Sequence, residues 1–511
     1  MSTFTRRNAW NNNGTFDNSD LLWYAKGVGE MQSRSLDDPT SWWFYAAIHG
    51  QYITNNDDPG TPVPTGYPNW GKIPGVPKVP TTPLPSQSTM DEYWDQCQHA
   101  GWFFPPWHRG YLYAIENVLR DIIISLKGPK DWALPYWNYL GPNGQYRIPP
   151  AFTQQNLPDG SPNPLFVTAR YGPQGNGNIY VQIPPVSQNC QQAKSYTGAA
   201  PAYGGGKTGF EHFNGSTGYL ESNPHNLVHT QVGGNSNSSS YWGLMADPGL
   251  AGLDPIFYLH HCNIDRLWAA WNAAGNSNPT DPDWLNGPTA TGDRKFYMPN
   301  PDKSAWQFTP GMVNNISQLN YTYEELSLGV STAMLSKNAM RLRNLALADD
   351  VKQDTDMDSN TESELAGANK EALKLGATGA HTTVKLDSGG WNRVAKSLKA
   401  ASKTSLPDEV YLQLEGVKGD ADSNIYTVSV NQQYAGHISL FGLRMASMKG
   451  GKHGGGGLTI RLDITDIVDK LHLDNDMDTS SLDVLIQPSG PVSDEGECTI
   501  ERVSIYRKSQ Q

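Results

Sequence analysis

A mainly α domain with long irregular loops, followed by an all-β antiparallel sandwich, is the fold that this chain of 511 residues predicts. Three observations carry the prediction. Apolar residues recur at helical spacing in several stretches before residue 275, Pro- and Gly-rich segments separate those stretches, and beyond residue 380 the pattern changes to short alternating runs. The length accommodates one large and one smaller unit, each with its own core. The expected boundaries are 1–345 for the helical domain, 346–380 for an acidic linker and 381–511 for the sandwich.

The elements follow in chain order. Residues 18–34 carry Leu21, Leu22, Ala25, Val28 and Met31 at helical spacing. A second helix over 39–53 is aromatic on nearly every side, with Trp42, Trp43, Phe44 and Tyr45, and is expected to be buried with His49 inside it. On those residues alone, a core histidine bonded to a carbonyl is favoured over a metal ligand. Residues 57–88 are rich in Pro and Gly and predict a long loop. The segment Cys97-Gln-His99 then leads into Pro105-Pro106-Trp107-His108, where the prolines pre-set a helix start and a strong apolar period follows. Residues 134–209 read as irregular excursions. Asn223 and Asp254 each precede a proline, as helix caps do, and open the two helices that carry His225, His229, His260 and His261. The helical domain ends near Tyr321 and Tyr323. The linker is acidic and poor in apolar residues, with a helical stretch expected over 369–375. Strands are predicted over 409–415, 425–430, 458–464, 481–487 and 498–507.

Composition excludes several functions. A formal charge of -12 and a pI of about 5.4 argue against nucleic-acid or anionic-membrane partners. No window is apolar enough to span a bilayer and no signal peptide is read, so a soluble, cytoplasmic protein is the default expectation. Cys97, Cys190, Cys262 and Cys498 are too scattered for a disulfide framework.

The histidines carry the chemistry. Of twelve, six (His49, His99, His108, His225, His229 and His261) fall in the helical half at or near predicted helix positions. His225 and His229 sit one turn apart on one face. Three plus three is the natural division. The segments lack the carboxylates that a di-iron bundle needs, and all-imidazole ligation favours copper or zinc; zinc gives no reason for a second matching triad. His260 and His261 point about 100° apart on their helix, and geometry does not choose between them. Asp265, one turn beyond His261, is placed to hold a ring N–H. His212, His381, His437, His453 and His472 lack partners at ligand spacing, and Trp107, Trp137, Trp268 and Trp271 are expected in the core.

His99, eight residues, His108-Arg, then His225, three residues, His229, then Asp254-Pro-Ile-Phe-Tyr-Leu-His-His261-Cys-Asn-Ile-Asp265-Arg-Leu-Trp resembles the type 3 copper proteins, the tyrosinase and catechol oxidase family. The resemblance implies two copper ions, one on His49, His99 and His108 and the other on His225, His229 and His261, with His260 as a neighbour and dioxygen as co-substrate. Cys97-Gln-His99 resembles a fungal Cys-x-His that carries a thioether; the alternative is a free buried thiol. Tyr321-Thr-Tyr323 resembles the family's domain-closing motif, and residues 381–507 its C-terminal β-domain. Glu221 and Asn226 resemble the pair that holds a water for deprotonating monophenols; alternatively Glu221 accepts backbone N–H bonds at the start of its helix. Residues 248–252 lack the bulky Phe of many plant catechol oxidases, which tilts the reading to tyrosinase acting on small phenols. Catechol oxidase, o-aminophenol oxidase and a haemocyanin-like dioxygen carrier are the alternatives. The β-domain is expected to cover the site as in a zymogen, released by a processing protease at the linker.

Overall fold

The computed structural model describes residues 3–54, 69–74, 78–198, 202–210, 215–237, 241–288, 294–327, 341–342, 344–345, 363–401, 406–448, 455–477, 479–492 and 498–509. The N-terminal half is built on α1 (Ser19–Ser33), α2 (Trp42–His49), α3 (Gln87–Tyr93), α4 (Phe104–Ser125), α5 (Leu227–Gly233), α6 (Pro248–Ala251) and α7 (Pro255–Ala273). Local chemistry sets their starts. Asn18, Ser41 and Asp254 each accept a backbone N–H of the first turn of α1, α2 and α7, and Pro lies within the first two positions of α4 and α7. Asn223 does not act as the expected cap. Its side chain is spent on Pro185 O and Ser187 N, and a wide π-type turn over Glu221–Asn226 leads into α5 instead.

Helix α4 lies against both α1 and α7. The close approach is permitted by Gly27 of α1, where a Cβ would come within 2.9 Å of Leu119. Trp107, Trp137, Trp268 and Trp271 are all fully buried, as expected. Strand β1 (Phe4–Arg6) pairs in parallel with β4 (Tyr321–Tyr323), and β2 (Phe296–Pro299) with β3 (Ala305–Phe308) antiparallel.

The first pairing carries Arg6 into a fully buried charge network. Arg6 reaches Glu116 of α4 and Asp265 of α7, while Arg109 and the hydroxyls of Tyr321 and Tyr323 close on the same Asp265 at 2.5 Å. Burial alone would raise the Asp265 carboxyl, yet Arg109, Arg6 and the two hydroxyls hold it below its usual value. This corrects the role expected of Asp265: among the described residues it bonds arginines and tyrosines, and no histidine ring.

The C-terminal half is one antiparallel sheet of nine strands that nearly closes into a barrel. It comprises β5 (Ser363–Ala368), β6 (Leu373–Leu375), β7 (Ala380–Leu386), β8 (Glu409–Lys418), β9 (Ile425–Val430), β10 (Gln433–Ser439), β11 (Leu458–Asp463), β12 (Ser481–Pro488) and β13 (Cys498–Lys508). The order is β10-β9-β12-β7-β5-β13-β8-β11, with β6 on β13, so one sheet curls round a core where two facing layers were expected. The ends approach each other. A Cβ on Gly436 of β10 would meet Leu462 of β11 at 2.9 Å. Residues 363–380 of the expected linker therefore belong to this sheet, and β6 stands where a helix was expected over 369–375. The backbones of β5 and β6 pair with β13, which a polar composition does not reveal. Residues 346–362 of the linker lie outside the described residues.

Candidate metal centre

The histidines converge from five segments of the chain. His49 is the last residue of α2, His108 lies in the first turn of α4, His225 and His229 flank the π-type turn and α5, and His260 and His261 lie in the second turn of α7. His99 comes from the segment before α4. Its neighbour Ala100 takes a positive φ of 53°, which turns the chain back on itself.

Two groups result. His49, Cys97, His99 and His108 form one, His225, His229, His260 and His261 the other, all buried, with potential ligand atoms within 4.8 Å of one another in each. The groups adjoin. The rings of His108 and His261 stack at 4.4 Å, and those of His99 and His225 lie 5.9 Å apart.

Second contacts decide which nitrogens face inward. Nδ1 of His49 lies 2.9 Å from Pro248 O, that of His108 2.8 Å from Phe104 O, and that of His229 2.7 Å from Met245 O. A carbonyl only accepts, so each Nδ1 carries the hydrogen and each Nε2 presents a lone pair. The His225 Nδ1–H donates to Asn226 Oδ1 at 2.7 Å in the same way. The lone pairs then crowd together. Nε2 of His261 lies 3.2 Å from that of His225 and 3.1 Å from that of His229, while His49 Nε2 is buried with no hydrogen-bond partner among the described residues. Burial also keeps these rings neutral, with His49 lowered to about 4, His225 to about 3, and His108, His229, His260 and His261 well below the usual range. Buried, unprotonated lone pairs aimed at one another cost free energy unless a cation lies between them, so the donor set fits a pair of borderline-soft metal ions. His49 is thus both things the sequence allowed: a carbonyl-bonded core histidine and a group with a ligand atom to offer.

His260 and His261 both belong to the second group, and neither ring nitrogen of His260 has a hydrogen-bond partner among the described residues. His260 stacks on His225 at 5.4 Å and meets Tyr139 on its other side. Cys97 Sγ is 3.3 Å from His99 Nδ1 and 3.3 Å from His108 Nε2. Glu221 does not accept the N–H groups at the start of its own helix. Both carboxylate oxygens accept from Ala100 N–H, at 2.8 and 3.0 Å, which ties the turn after His99 to the turn bearing His225. Burial pushes its carboxyl up to about 8, against the pull of that N–H.

Three aromatic residues that sequence reasoning left out wall the centre. Phe104 packs on His108 and His225, Phe257 on His49 and His261, and Phe441 comes from the β-domain to stack on His229 at 4.3 Å. Phe441 sits just before Gly442, whose φ of 83° makes the turn. An aromatic beside a glycine after a strand was the only signal for it. The domains are also joined by Ser439 Oγ to Asn226 O at 3.1 Å, and by Asn235 Nδ2 to Asn424 Oδ1 at 3.1 Å and to Pro491 O at 3.0 Å. Of the other histidines, His381 pairs with Asp483, His437 bonds Thr427 and Tyr434, and His212 and His453 lie outside the described residues.

Residues 39–274 match the family model for the common central domain of tyrosinase. The tyrosinase HcTyr1 of Hahella sp. (strain CCB-MM4) is 31% identical over 500 residues, which cover 95% of this chain and 96% of that protein. The chain belongs to the tyrosinase family. Members of this type 3 copper family, which includes the polyphenol oxidases, work with a binuclear copper site, and the two histidine groups suit one. A chloroplastic polyphenol oxidase of Spinacia oleracea is 33% identical over 290 residues, or 51% of this chain and 38% of that protein. The fold of the whole chain is that of latent apple tyrosinase, with a TM-score of 0.60 at 20% identity and coverage of 100% and 98% of the two chains. Residues 362–508 match a domain of unknown function (DUF7868), which begins where β5 does.

Proposed function

We propose that the protein oxidises o-diphenols to o-quinones with dioxygen and hydroxylates monophenols at the ortho position, as a tyrosinase. The observation that carries this is the placement of Glu221, a buried carboxyl one turn before His225 that bonds the chain holding His99 and that burial pushes up to about 8. In this reading His49, His99 and His108 hold one copper ion and His225, His229 and His261 the other. The bound pair supplies the dioxygen chemistry. The protein's part is to hold and to exclude. Carbonyls at Pro248, Phe104 and Met245 keep the Nδ1 hydrogens, Asn226 does so for His225, and Phe104 and Phe257 keep water from the rings. A carboxylate near neutrality in its proton affinity is matched to accepting a phenolic proton, directly or through one water, which monophenols require before they can bind as phenolates.

Catechol oxidase is the second reading, favoured by one fact: both oxygens of Glu221 are already engaged by Ala100 N–H. Oxygen uptake by the copper-loaded chain, with a monophenol beside its o-diphenol, separates the two. Uptake with both supports tyrosinase, and uptake with the diphenol alone leaves Glu221 a structural tie. Uptake with neither, after the β-domain is removed, returns the carrier reading.

The C-terminal domain is proposed as a lid. Phe441 occupies the face of His229 where an aromatic substrate would lie, and its chain is bonded to Asn226 through Ser439. The latency named for the apple tyrosinase of the same fold accords with this. A thioether between Cys97 and His99 is proposed as well; an intact mass two hydrogens above the thioether value would exclude it.

A further inference from the structure

Arg341, which the sequence reading assigns to the helical domain, has its side chain bonded within the β-domain. This guanidinium, 3% exposed, is seated in the β-domain. Its Nε and Nη2 meet the two oxygens of Asp469 at 2.6 and 2.7 Å, Nη1 meets Pro407 O at 2.6 Å, and Nη2 also meets Asp408 O at 2.7 Å. The socket is made from several elements. Asp469 lies in the helix Thr465–Leu473, Pro407 and Asp408 lead into β8, and Asp408 is held in turn by Arg507 of β13 and Ser397 of the helix Ser388–Ala400. Leu345, one turn after Arg341 and bonded to it through Leu345 N to Arg341 O at 3.0 Å, packs into the β-domain core. A planar fork with bidentate carboxylate and two carbonyls is the arrangement for which arginine, and not lysine, is shaped.

We infer that Arg341 and Leu345 strap the chain to the lid, so that a cut between 346 and 362 does not free the lid, whereas a cut before Arg341 does. The inference rests on the lid reading above. A chain cut after 345 keeps Arg341 and Leu345 on the catalytic piece, still seated in the lid, and the two pieces stay joined by this socket in addition to the contacts of Ser439, Phe441 and Asn235. A cut before 341 sends the strap away with the lid, which takes this socket out of what holds the two pieces together. Removing one partner of a buried ion pair is strongly destabilising, so loss of Arg341 weakens association of pieces cut after 345 by on the order of 100-fold.

The test uses full-length, copper-loaded chains carrying one inserted protease site, either within 350–356 or within 330–336. After cleavage, gel filtration reads whether the pieces travel together, and o-diphenol oxidation reads whether the site is open. Co-elution after the first cut and separation after the second are expected. Arg341→Met, and independently Asp469→Asn, should convert the first chain to the behaviour of the second, and Arg341→Met should leave the second unchanged, which controls for damage to the lid itself. Separation of both chains alike, with no effect of either substitution, would overturn the strap. If the pieces separate as expected but diphenol oxidation does not rise, the strap stands and the lid reading fails.

Discussion

Phe441 and Glu221 show how much a single side chain decides around the metal centre. Phe441 lies flat on His229, and its removal opens the face a phenol ring would need. Phe441→Ala in the uncut chain should raise o-diphenol oxidation several-fold with copper content unchanged, as measured by oxygen uptake and metal analysis; an unchanged rate would place the barrier elsewhere. Glu221 holds Ala100 N–H in a buried setting, so Glu221→Ala leaves a donor unpaired and costs about 1–3 kcal/mol of stability. Glu221→Gln keeps an acceptor for Ala100 but cannot take a proton. It should lose monophenol hydroxylation far more than diphenol oxidation, and equal losses of both in steady-state kinetics would assign Glu221 a structural role alone.

Elements succeed here by meeting at small residues. Gly110 lies on α4 two residues after His108, and a Cβ there would come within 2.2 Å of the Phe308 ring of β3. Gly110→Ala must therefore move either the ring or the helix, at about 1–3 kcal/mol. A lowered melting temperature and a reduced copper content are the expected outcomes, because the first turn of α4 positions the His108 ring. The starts of α4 and α7 were legible in sequence, since Pro near the N-terminus and an Asp cap act within one turn. The start at Asn223 was not, because Pro185 and Ser187, distant in sequence, claim its side chain.

At the scale of the whole molecule, two carboxyls from different domains share one arginine. Asp247 of the catalytic domain and Asp422 of the β-domain both face Arg444, with Tyr52 and Asp420 alongside. Burial raises both carboxyls above their ordinary value of 3.8, and for Asp422 the neighbouring Asp247 adds to the rise while Arg444 opposes it. A docked value above the separated one means that docking takes up protons. Docking is then strongest below the ordinary carboxylate range and weakens as pH rises from there through the raised values. The cut pieces should separate more readily at pH 8 than at pH 5, and Asp422→Asn should flatten that dependence; an unaltered slope by gel filtration would remove this pair as its source. Copper acts in the same direction as docking. Chelation should lower the melting temperature, since an ion at 100 times its dissociation constant contributes about 2.7 kcal/mol to the folded state.

By itself the sequence determined the two-part architecture, the helix starts at Pro105 and Asp254, and six of the seven histidines that reach the two groups, because periodicity, capping and one-turn spacing are local and survive without knowledge of the fold. Tertiary structure alone decided what those local signals leave open. Asp265 is one turn from His261, yet Arg6 and Arg109 outbid the ring because strand pairing at β1 brings two guanidinium groups to it. Residues 363–375 look like linker until β13 supplies their partners, Arg341 looks like the end of one domain until Asp469 closes on it, and Phe441 has no role until curling of the sheet carries it to His229. In each case the deciding partner is far away in sequence, and hydrogen bonding, ion pairing and ring packing depend on distance in space.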